Sequence, residues 1–126
     1  SELGGVVTWS PPGDVSLVVH YDVYLAEAAD GTNSTFTGSV GSGTNALTLS
    51  ADSDLASYTH VVVHTKSTFA EQTTPASFAI SDAVAQVSSL IFVDLDLDAG
   101  ELGGTVTWTD TGSLAQVAAL VVYLVR

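Results

Sequence analysis

Apolar residues recur at every second position through segment after segment of this 126-residue chain, and Val, Thr, Tyr, Phe and Trp dominate those segments. No stretch sustains a 3.6-residue period with helix caps, so the pattern predicts an all-β chain. The first strand is expected at about Gly5 to Ser10, with Val7 and Trp9 inward, ended by Pro11-Pro12-Gly13. Val19 to Ala26 follows with Tyr21, Val23 and Leu25 on one face. Thr35 to Val40, Ala46 to Ser50 with Leu47 and Leu49 inward, Tyr58 to Thr65 and Ala76 to Ser81 are the next strands, separated by turn-rich stretches such as Ala29 to Ser34 and Gly41-Ser42-Gly43. A connector from Asp82 to Ser89 leads to an alternating strand, Leu90 to Asp98.

One segment is written twice. Glu2 to Glu27 and Glu101 to Arg126 align without a gap at a shift of 99 (2 onto 101), and 12 of the 26 positions are identical, among them Gly5 with Gly104, Trp9 with Trp108, Gly13 with Gly112 and Tyr24 with Tyr123. Such a period exceeds a solenoid unit and matches a small domain in tandem. In both copies the segment is expected to form a two-stranded hairpin. The second copy puts Leu120, Val122 and Leu124 on the face that carries Tyr21, Val23 and Leu25 in the first. The expected core therefore comprises Trp9, Tyr21, Val23, Leu47, Leu49, Tyr58, Trp108 and Val122.

Trp9-Ser10-Pro11-Pro12, Tyr21-Asp22-Val23-Tyr24 and Leu55-Ala56-Ser57-Tyr58 together resemble a fibronectin type III-like, immunoglobulin-like β-sandwich of about seven antiparallel strands, in a tandem array. The resemblance extends to large extracellular repeat proteins of microbial eukaryotes, dinoflagellates among them. It implies strands B, C, C′, E, F and G of one unit in residues 1–86, without that unit's first strand, and strands A, B and C of the next in 87–126. It also implies that the Tyr58 hydroxyl bonds upstream backbone. Departures are Ala56, where the family has Pro, and His60 and His64 at positions where aliphatics are commoner. Three strands cannot bury Trp108, Leu120, Val122 and Leu124, so another unit or chain is expected to complete the second copy.

Charge narrows the function classes. Fourteen acidic residues stand against Lys66 and Arg126, a formal net charge of −12, which repels phosphate backbones and argues against nucleic-acid binding. Mean hydropathy of +0.39 argues for a folded chain. Ser and Thr make up roughly a quarter of the residues, in place of surface Lys and Glu, as expected of an extracellular or cell-surface protein. There is no cysteine, so no disulfide is expected to staple the fold; no apolar run reaches membrane-spanning length, so no membrane insertion is expected. Ser1 starts without a signal-like segment, so any signal peptide is expected to have been removed or to lie outside this sequence.

Candidate chemistry is sparse. Asp94, Asp96 and Asp98 alternate in the expected strand, which puts three carboxylates on one face about 7 Å apart, hard oxygen ligands that suit Ca²⁺ or simply solubilise an edge. Ala99 and Thr105 break the match to a calcium loop. Asn33-Ser34-Thr35 is an N-glycosylation sequon. His60 and His64 lie roughly 13 Å apart along a strand and cannot share a metal. No nucleophile elbow is present, and every acidic residue is expected at an outward strand position or a turn, so no enzyme activity and no resident cofactor are expected. The expected function is a non-catalytic structural repeat of an extracellular filament, stalk or matrix, assembling head-to-tail through strands with other copies of itself. The alternatives are an adhesive module for glycans or proteins, on loops such as Ala29 to Ser34 and Glu71 to Pro75, or a spacer in a larger secreted enzyme.

Overall fold

Side chains branched at Cβ or carrying rings favour pleated, half-buried backbone. The computed structural model describes residues 2–82 and 84–125, and among them it contains antiparallel strands and no helix. The chain divides into two compact units, Ser1–Asp82 and Ala83–Arg126.

In the first unit β1 (Glu2–Thr8) pairs with β4 (Ala46–Asp54), and β2 (His20–Ala26), β3 (Thr35–Gly41), β5 (His60–Lys66) and β6 (Ala76–Ala79) form a second sheet in the order β3-β2-β5-β6. The expected hairpin is therefore absent: β1 and β2 belong to different sheets, because Val7 finds Leu47 while Tyr21 finds Val40 and Thr65. Tyr21, Val23 and Leu25 of β2 and Val61 and Val63 of β5 make a buried cluster, against which Leu3, Val7, Trp9, Leu47, Tyr58 and Ile80 pack, and Leu49 is buried as well. The Trp9 and Tyr21 rings meet at 5.5 Å. Burying each such apolar side chain is worth about 1.5–3 kcal/mol.

β2 and β5 are central strands, and their second face is covered too. Ala26 and Val62 are fully enclosed, and Gly31 from the loop after β2 sits beside His64 and Pro75. That loop is tied down by Glu27 N–H donating to Thr32 O at 3.1 Å and Thr59 Oγ1 donating to Glu27 O at 2.7 Å.

The second unit holds β7 (Ala85–Phe92) antiparallel to β8 (Val106–Gly112). Two expectations are corrected here. The connector at Asp82 to Ser89 is largely strand, because Gln86 to Ser88 find partners in Thr109 to Thr111, and the ladder shifts register between Ser88 and Ile91 around Ser89 at φ 52°. The strand placed at Leu90 to Asp98 ends at Phe92. A further correction concerns the strand expected at Leu120 to Leu124: Leu120 to Val125 form no strand, and Val122, placed in the core of a completed second unit, is 53% exposed here and Leu124 84%. The physical reason is the partner. The matching residues of β2 lie between β3 and β5, and the second unit has no counterpart of either among its described residues.

Val23→Ala should lower the stability of the first unit by about 2 kcal/mol, roughly 10 °C in melting temperature. Leu124→Ala should change it by less than about 0.5 kcal/mol. Thermal denaturation followed by circular dichroism checks both.

Candidate functional site

A carboxylate two residues upstream of a free N–H can bend the chain into a turn instead of leaving it extended. That happens at the aspartate stripe. Asp94 Oδ1 accepts from Asp96 N–H at 3.0 Å and from Gly103 N–H at 3.0 Å, and Asp96 Oδ1 accepts from Asp98 N–H at 2.8 Å. The flat row of three carboxylates expected of a strand is thus replaced by a loop. It gathers Asp96, Asp98 and Glu101, whose oxygens lie within 4.8 Å of one another, while Asp94 is occupied with backbone. The two N–H groups hold the Asp94 carboxyl below its usual range. With one oxygen each, the three exposed carboxylates supply at most half of the roughly 6–8 oxygens that Ca²⁺ takes, so water would have to complete the shell.

A second polar group lies on the outer face of the β2–β5 pair, where register sets Asp22 opposite His64. Asp22 stands at an outward strand position, as expected of the acidic residues, but it is only 4% exposed, because the segment after β5 covers that position. Lys66 Nζ stands 3.4 Å from Asp22 Oδ2, Tyr24 Oη donates to Glu71 Oε2 at 2.8 Å, and His64 Nδ1 bonds the Gln72 carbonyl at 2.7 Å. Burial pushes the Asp22 carboxyl up, but the Ser39 hydroxyl and the Lys66 ammonium outweigh it and hold the group below its ordinary value. Burial, together with Glu71 and Asp22, pushes the Tyr24 hydroxyl up to about 12. Tyr24 also meets the rings of Phe36 and His64 edge-on at 5.4 and 5.5 Å, so it is packed, not displayed. Beside it His20, Asp22, Tyr24, Phe36, Ser39 and Lys66 line a shallow cleft of about 380 Å³.

Other expected residues fall as follows. Tyr21, Val23 and Leu49 are buried, Trp9, Leu47 and Tyr58 are half-buried against them, and Trp108 is half-buried in the second unit. The Tyr58 hydroxyl meets Thr35 Oγ1 at 2.5 Å, a side chain in place of the upstream backbone that the resemblance implied. Asn33 is exposed at φ 50°, and its Nδ2 donates to Glu27 Oε2 at 2.7 Å. Trp108 Nε1 donates to Asp110 Oδ1 at 3.2 Å, whereas Pro11 stands at the matching place in the first copy and Trp9 Nε1 has no partner among the described residues.

The polar group around Asp22 was not legible in the sequence, because it depends on residues 71 and 72 folding back across β5. A Glu and a Gln shortly after a strand carry no signal of where they fold. No helix among the described residues is long and apolar enough to cross a membrane. Comparison with protein-family models, with curated proteins and with solved structures finds no match.

Two pH effects follow. Asp22, with its folded pKa below the unfolded one, favours the fold above the unfolded value, and that contribution disappears as pH falls through the folded pKa. Asp22→Asn should therefore lose less stability than the parent between roughly pH 5 and pH 2, as melts across that range would show. Tyr24, raised to about 12, favours the fold up to its unfolded value near 10 and loses that contribution as pH rises to 12. Ultraviolet titration should show a late-ionising tyrosine that Tyr24→Phe removes.

Proposed function

We infer that this chain is a non-catalytic structural repeat of an extracellular filament, stalk or matrix protein, built from fibronectin type III-like sandwiches in tandem and assembling head-to-tail through strands. The observation that carries the reading is the fate of the doubled segment. As β2 it is the most enclosed strand of the first unit, and as Leu120 to Val125 it lies open, with Val121, Val122, Tyr123, Leu124 and Val125 all more than half exposed. Open apolar runs of that kind mark contact surfaces.

Pairing supports the finer reading of the fold. If β1 to β6 are labelled B, C, C′, E, F and G, then B pairs with E, C with F and F with G, as in immunoglobulin-like sandwiches, and the inner faces of both sheets meet at Trp9 and Tyr21. A repeat whose unit is completed by its neighbour makes a non-closing, head-to-tail contact. The net charge of −12 opposes that contact at low ionic strength, where the Debye length is about 30 Å at 0.01 M salt, and much less at 1 M, where it is about 3 Å.

Sedimentation should accordingly show larger species as protein concentration and salt rise, and electron microscopy should show fibres with an axial repeat of roughly 30–40 Å. A folded monomer at high concentration in high salt would remove the filament reading. The cleft beside Phe36, a 56% exposed ring flanked by Asp22, Ser39 and Lys66, favours a second reading as a glycan-binding adhesive module. A glycan array decides that one, and an array without hits ends it.

A further inference from the structure

The two copies of the doubled segment use opposite edges. In the first, Val7 pairs with Leu47 and Trp9 N–H donates to Asn45 O at 3.2 Å, so by alternation the N–H and C=O groups of Val6 and Thr8 face away from β4 and have no strand beside them among the described residues. In the second, Thr107 pairs with Ile91 and Val106 with Phe92, and Leu95 N–H donates to Gly103 O at 2.6 Å, so the matching groups of Thr105 and Thr107 face β7. The edge that β7 fills in one unit is the edge left open in the other.

Glycines shared by the copies carry the same message. A Cβ on Gly104 would stand 2.3 Å from the Val93 carbonyl oxygen, and one on Gly112, at φ 97°, would stand 2.3 Å from that of Val84. Close approach of the β7 segment requires both to be glycine. Their counterparts Gly5 and Gly13 have nothing within 4 Å; Gly5 is required by its own backbone, at φ 133° beside the register shift of β1, whereas Gly13 has neither a positive φ nor a close neighbour. Beside the open edge lies a mainly apolar groove of about 330 Å³, walled by Leu3, Val7, Leu49, Val61, Phe78 and Ile80. On β7, Leu90 is 65% and Phe92 41% exposed. Register puts Phe92 on the same face as Val106, the counterpart of groove-lining Val7.

The geometry points to a strand-acceptor edge along β1 and its continuation, residues 4–10, whose occupant is the β7 segment of a second copy of this chain, added antiparallel with Phe92 opposite Val7 and Ile91 opposite Thr8. The inference rests on the self-assembling reading above and gives it a partner and a register. The donated β7 exchanges one ladder, with its own β8, for another, with β1, and gains the groove for Leu90 and Phe92. Pairing stops at Ser10, because Pro12 stands at the next position of that phase, where Thr111 pairs with Gln86, and proline has no N–H to donate.

The test is a fluorescent peptide of sequence Gln86 to Asp98 titrated into the full chain in high salt, with anisotropy as the readout. Saturable one-to-one binding is expected. It should weaken at least tenfold with Thr8→Pro in the chain, a change on the free edge that leaves the β1–β4 ladder intact, and with Phe92→Asp in the peptide. A peptide N-methylated at Ile91, which alters nothing in the protein, should fail equally. Absence of saturable binding, or equal binding by the Thr8→Pro chain, overturns the proposal. Peptide binding without polymers of the chain keeps the acceptor edge and removes the filament, whereas polymers unchanged by excess peptide keep the filament and remove this edge.

Discussion

A β-strand keeps its shape only where a neighbour takes up its backbone N–H and C=O groups, and that requirement governs every part of this molecule. Residues 2–8 are extended because β4 lies beside them, whereas Glu101 to Thr105, nearly the same sequence, form no strand. Conversely Val106 to Gly112 are extended along β7, while Ser10 to Gly13, past the Trp9–Asn45 bond, leave the ladder. Identical residues become strand or loop according to which side has company. Hydrophobicity follows the same rule, since Tyr24 is packed between rings and Tyr123 is open.

Side-chain chemistry is subordinate to that constraint. The carboxylates of Asp94 and Asp96 do not stand as a free stripe, because they satisfy backbone N–H groups that no strand neighbour reaches. Asp22 is buried because residues after β5 close over the sheet, and Lys66 is the cation at hand to balance it. Breaking such a pair by removing the cation alone leaves a buried charge without compensation, so the pair fixes where the segment can settle. A net charge of −12 then acts between copies, and it holds open edges apart until salt screens them.

Six strands of the first unit were legible because alternation of Tyr21, Val23 and Leu25, or Leu47 and Leu49, has one reading where both partners lie within the chain. Their pairing was less so: period two says that a residue faces a core, not which strand lies beside it, hence the expected hairpin between strands of different sheets. Val93 to Asp98 alternate as well as any strand, yet the local carboxylate-to-backbone bonds win there. β7 was half missed because Ser88 and Ser89 interrupt its pattern at an irregularity that only its partner makes extended. The burial of Asp22 was illegible for a different reason, since a covering segment leaves no mark on the residues it covers.

Amide hydrogen exchange, resolved by residue, tests the account most directly. With each copy of the doubled segment filled on one edge only, the protected amides should alternate in opposite phase: Val7 and Trp9 slow with Val6 and Thr8 fast in the first copy, and Thr107 and Thr109 slow with Val106 and Trp108 fast in the second. Equal protection of Thr8 and Thr107 in the monomeric chain, or the same phase in both copies, would contradict it.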